Sequence, residues 1–108
     1  GDDANADVNA AAAEYQAKYG NLPDVGGFVT GPTTLQVILE AYKQAGSWDG
    51  DKMTAAMETF KDVPTLAGPT SFSPDLHINV TRPMAILEVV DGKLKFIEAI
   101  APEKVVFP

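Results

Sequence analysis

The chain contains no cysteine, so neither a disulfide framework nor a thiolate metal site is open to it. It has a single histidine, His77, which leaves little scope for an imidazole-based metal cluster. Basic residues are scarce: 8 Lys and Arg against 15 Asp and Glu give a formal charge of −7. A phosphate backbone or an anionic membrane surface is therefore a poor partner, and no nucleic acid is expected to bind. Long apolar runs are missing too; none approaches the roughly 18 residues that cross a bilayer. Gly1-Asp2-Asp3 is acidic and the alanine-rich stretch from Ala10 is short, so no secretory signal is visible. A mature chain would lack such a signal in any compartment. What is present is enough for one domain with a modest core, with 108 residues of which 45% are hydrophobic.

Periodicity divides the chain into a helical part, residues 4–61, and a strand and hairpin part, residues 66–108. Val8, Ala11, Ala12, Tyr15 and Tyr19 fall on one face of a 3.6-residue period, which predicts a helix from about Ala6 to Tyr19. Asn5 or Asp7 can cap its start, and Gly20 followed by Pro23 can end it. Residues 20–31 hold four glycines and a proline and read as a connection. A second helix is predicted from about Pro32, which suits a first helical position, to Ala45. Leu35, Ile38, Leu39 and Tyr42 would form its buried stripe. A third helix is expected from about Gly50 to Phe60, capped by Asp49, with Met53, Met57 and Phe60 facing the core.

After Asp62 the pattern becomes extended. A short strand is expected near Thr70–Phe72, and another at Val105-Val106-Phe107. The clearest signal is a hairpin from Met84 to Ile100 folded about Asp91-Gly92, a pair that favours a type I′ turn. That turn pairs Val90 with Lys93, Val89 with Leu94, Glu88 with Lys95 and Leu87 with Phe96. Leu87, Val89, Leu94 and Phe96 then share one face. Helices followed by strands argue an α+β arrangement.

No catalytic constellation emerges. Ser71 and Ser73 lack a nucleophile elbow, His77 has no orienting partner in sequence, and no phosphate-binding glycine loop follows a strand. Asp49-Gly50-Asp51 resembles part of a calcium loop, but the further acidic ligands are missing and helix capping explains it. Trp48 reads as the cover of a helix junction, or as a stacking platform. Tyr15, Tyr19 and Tyr42 follow helical stripes and read as core. No enzyme, cofactor or metal site is expected.

Three stretches carry a family resemblance that spans about Ala11 to Phe96. Tyr15-Gln16-Ala17-Lys18-Tyr19-Gly20-Asn21-Leu22-Pro23 is similar to a Y-x-x-x-Y-G-x-x-P helix end. Gly31-Pro32-Thr33-Thr34-Leu35-Gln36, continuing to Ala45-Gly46-Ser47, resembles a G-Y-D-A helix with an A-G-S ending. Leu66 to Asp75, through His77 to Val89-Val90-Asp91-Gly92-Lys93, resembles a G-x-x-x-F-D-x-x-G-H segment followed by V-x-D-G-K. In order and spacing these look like the C-terminal part of a type I periplasmic binding protein of the branched-chain amino acid-binding group. Pro32-Thr33 stands where an aromatic and acidic pair is usual, and Leu76 where glycine is common.

The resemblance implies two α/β lobes joined by crossing strands, with a ligand closed between them. It implies that these 108 residues are a fragment, lacking the N-terminal part of a longer parent chain. The implied role is periplasmic or extracytoplasmic: capture of an amino acid, amide or aromatic acid for the permease subunits of an ABC importer. A sensor or receptor ectodomain of the same fold is the alternative, as is a self-associating module that forms a homodimer. Phe28 and Thr30, ahead of the second helix, fall near a position that can line the ligand cleft. The competing reading of Phe28 is a hydrophobic staple that fixes the helix entry.

Overall fold

The computed structural model describes Asp3, residues 5–80 and residues 82–102. Three helices, α1 (Ala6–Tyr19), α2 (Val25–Ala45) and α3 (Gly50–Met57), precede two strands, β1 (Met84–Val90) and β2 (Lys93–Ile100). The expected order of helices then hairpin is therefore present. The Val105-Val106-Phe107 strand lies outside the described residues. Among the described residues, no helix is long and apolar enough to cross a membrane.

The caps explain most helix limits. The Asn5 side chain accepts the Asp7 N–H at 3.0 Å, and α1 ends at Gly20 in the left-handed conformation. Asp49 Oδ1 accepts the Lys52 N–H at 3.0 Å and starts α3. The helix proper stops at Met57, and a tight turn carries the chain to Phe60, so the expected end was three residues late.

The second helix departs furthest from expectation. It begins at Val25, behind Asp24, and Pro32 lies inside it rather than at its first position. Pro32 has no N–H to give the Phe28 carbonyl, and Gly26, Gly27 and Gly31 have poor helix propensity. Tertiary contacts override these signals: the Phe28 ring meets Tyr15 of α1 edge-on, with centroids 5.7 Å apart.

Burial is sparse. The buried apolar residues among those described are Ala12, Ala41, Phe60 and Leu66. The expected buried stripe of α2 is exposed: Leu35, Ile38, Leu39 and Tyr42 all reach solvent, because no described residue covers that face as a core would. Tyr19 is likewise exposed rather than core, while Tyr15 is half-buried. Trp48 stacks on Tyr42 across the α2–α3 junction, centroids 4.2 Å apart, yet stays 63% exposed. The total accessible surface is 7794 Å², against roughly 5800 Å² for a compact monomer of this mass. The radius of gyration is 16.1 Å, against about 13 Å for a compact domain of this length.

The hairpin has the expected register from Val90↔Lys93 to Leu87↔Phe96. Asp91 and Gly92 both have positive φ, 51° and 73°, as a type I′ turn requires. Past Phe96 the ladder slips by one residue, so Ile86 faces Glu98 and Ile97 is extra. This bulge has a purpose legible in the pattern. Strict alternation after Leu94 and Phe96 would place Glu98 on the apolar face. The extra Ile97 turns Glu98 to the polar face and sets Ala99 opposite Ala85 instead. The expected strand at Thr70–Phe72 is reduced to a single bridge, Val63↔Thr70, closed by a tight turn at Thr65–Gly68.

Replacing Pro32 separates the two readings of this segment. In a helix that starts at Val25, Pro32→Ala restores a backbone hydrogen bond and raises stability, by up to about 3 kcal/mol in urea unfolding. At a first helical position the same change would be neutral or destabilising.

Candidate functional site

The Leu66–Pro69 turn is held from several elements at once. The Leu66 N–H donates to Gln36 Oε1 of α2 at 2.7 Å, and the Ala67 N–H donates to Thr33 Oγ1 at 3.0 Å. Asn5, at the start of α1, donates its side-chain amide to the Leu66 carbonyl at 3.2 Å. Asn79, in the connection to the hairpin, donates to the Pro69 carbonyl at 2.8 Å. Within the turn, the Gly68 N–H reaches the Thr65 carbonyl at 2.9 Å, and Thr65 Oγ1 donates to the Gly68 carbonyl at 2.7 Å. Gly68 has φ 105°, which a side chain would strain.

This turn forms one wall of a cleft of about 420 Å³, a size typical of small-molecule sites. Val8 of α1 and Val29 of α2 add apolar surface from the helices. The foot of the hairpin closes the other side with Met84, Ala85, Phe96 and Ala99. Phe96 is half-buried there, whereas the rest of both strands is exposed. Among the described residues, the charged groups on the lining are Asp3 and Arg82. The Asp3 carboxylate is partly engaged, accepting the Asn5 N–H at 2.8 Å. An apolar slot that presents both a cation and an anion can hold a small solute by its body and orient it by its ends.

The two positions singled out in sequence lie beside this cleft rather than in it. Both sit in the first turns of α2, not in a loop. Phe28 is half-buried against Tyr15, and Thr30 is exposed, its carbonyl accepting the Thr34 hydroxyl at 2.9 Å. Between them, Val29 is the residue that lines the cleft. Arg82 and the turn at Leu66–Pro69 were not singled out from sequence. The available signal for Arg82 was that it is the chain's one arginine in a strongly acidic composition.

Elsewhere, His77 Nε2 lies 2.9 Å from Glu58 Oε1 beside a hollow of about 170 Å³ lined also by Thr54, Met57 and Phe72. His77 is exposed and Glu58 half-buried, and among the described residues that lining holds no further titratable partner, so the pair links the connection to α3 and little more. Among the described residues, no group of three or more His, Asp or Glu could hold a metal ion. On the far part of α2, the Gln44 amide, helped by Lys43, holds Glu40 below its ordinary carboxylate range.

Comparison with known sequences decides the family. The sequence model described as "Periplasmic binding protein" matches residues 1–93. The chain belongs to the type I periplasmic binding protein family. Its structural match lies in the branched-chain amino acid-binding group of that family: the crystal structure of a leucine-binding protein, LivK, from Thermotoga maritima. The two share 21% sequence identity with a TM-score of 0.73, over 93% of this chain and 28% of that one. At this identity the likeness is one of fold. The chain thus spans a little over a quarter of its neighbour's length, and the α+β arrangement of three helices and a hairpin corresponds to part of the neighbour's periplasmic binding protein fold. No curated protein matches the chain in sequence.

The bonds to the turn predict which side chains hold the cleft together. Gln36→Ala leaves the part-buried Leu66 N–H without its acceptor and should cost about 1–3 kcal/mol in urea unfolding. Gln44→Ala, eight residues further along the same helix and exposed, should stay within about 0.5 kcal/mol of the parent.

Proposed function

We propose that this chain is the C-terminal segment of an extracytoplasmic solute-binding subunit of an ABC importer. The solute is an amino acid or a related small organic acid, held between two lobes that close about their crossing strands. Membership of the periplasmic binding protein family over residues 1–93 is the observation that carries this reading. On this reading residues 1–108 are one segment of the two-lobed body, with the helical part and the hairpin part contributing to different lobes. The excess of about 2000 Å² of accessible surface over a compact monomer supports it. So does the nature of that surface, with Leu35, Leu39, Tyr42 and Trp48 open on the helices and Val89 and Leu94 open on the hairpin. The permease subunits would meet the closed, two-lobed form rather than this segment alone.

The test is calorimetric titration of the longer, two-lobed protein with branched-chain amino acids, their amides and aromatic acids. Saturable binding of at least one class at micromolar or lower concentration is expected. A flat titration across the whole panel overturns the proposal.

A further inference from the structure

We infer that Arg82 is the anchor for the carboxylate of a small apolar acid held in the cleft between the Leu66–Pro69 turn and the foot of the hairpin. The inference rests on the solute-binding reading and adds to it the residue that recognises the ligand's charge.

Arg82 lines the cleft, and its guanidinium has no hydrogen bond or ion pair with any described residue. Its stem is nevertheless placed. Cγ and Cδ lie 3.7 and 3.9 Å from where a Cβ on residue 68 would sit, so the methylenes pack over the bare Gly68 backbone. Pro83 follows and fixes its own φ, which restrains the chain on the other side. A guanidinium on a positioned stem with unspent donors is arranged for a bidentate oxyanion.

The rest of the lining selects among oxyanions. Val8, Val29, Leu66, Met84 and Phe96 ask for an apolar body. Asp3 stands on the same lining and the chain carries −7, so a doubly charged phosphate meets about twice the repulsion that a single carboxylate does. An amino group on the acid, where there is one, finds the Asp3 carboxylate in the same cleft.

Because Arg82 is the one arginine of the sequence, its Nε–Hε resonance is unambiguous in an NMR spectrum of the 108-residue chain. Titration with leucine and with 4-methylpentanoate should shift that resonance saturably, and 4-methylpentanamide should bind about 10- to 100-fold more weakly. Arg82→Gln should lose the preference for acid over amide while keeping its helical circular dichroism, and Arg82→Lys should retain part of it. Equal binding of acid and amide, an unmoved Nε–Hε signal, or an equal response to inorganic phosphate overturns the inference. The same substitution in the two-lobed protein separates the two proposals. Solute binding that is indifferent to Arg82→Gln removes the anchor and leaves the solute-binding role standing, whereas no binding by either form removes both.

Discussion

The fold is organised around one short turn whose polar groups are bonded by four side chains from three parts of the chain. Leu66 and Ala67 give their N–H groups to Gln36 and Thr33 of α2, and the Leu66 and Pro69 carbonyls accept from Asn5 and Asn79. Side chains do here what a sheet would do elsewhere: they satisfy the backbone of an irregular segment that is partly buried. Leu66 itself is among the few buried apolar side chains. Because α1, α2 and the connection to the hairpin all meet at this turn, its geometry sets the cleft. The Gly68 backbone and the Arg82 stem follow from the same constraint.

Away from the turn, cohesion is local. β1 contacts β2, and α2 contacts α3, but the two units share little more than the cleft lining. A two-stranded sheet is marginal in water, and among the described residues neither strand has a second partner on its outer edge. Its apolar face, Leu87, Val89 and Leu94 with Phe96 at the foot, is built to a register that only matters if something covers it. The bulge at Ile97 makes the same point. Removing Glu98 from that face is of little consequence on a sheet bathed in water and of large consequence on a buried one.

How much of this was legible in the sequence depended on the range of the determining interaction. The Asn5 and Asp49 caps, the left-handed Gly20 and the Asp91-Gly92 turn are set within a few residues, and their signals were readable directly. The hairpin register followed from the turn and the alternation, up to the bulge that alternation alone does not announce. The start of α2 was not legible, because its glycines and Pro32 argue for a loop while contacts with α1 decide for a helix. The burial of Leu35, Ile38, Leu39 and Tyr42 was read from periodicity, which reports the face meant for a core and not whether the core is present. Arg82 was missed because its environment is made by Gly68 and the hairpin foot, distant in sequence from each other.

The weak beginning of α2 then takes on a meaning. Within Val25–Pro32 lie three glycines and a proline, each unfavourable in a helix interior by about 1 kcal/mol for glycine and up to about 3 kcal/mol for proline. A stretch so handicapped stays helical only while its neighbours hold it. The neighbours are Tyr15 against Phe28 and the cleft around Val29. Segments of low local stability are the ones that yield when a ligand reshapes their surroundings. Here that segment abuts the cleft, while the strong, well-capped half of α2 lies beyond it and carries the exposed apolar stripe. The helix is therefore divided by what holds it together. One half is favoured by its own sequence and its Gly46 cap, and the other depends on its neighbours beside the cleft.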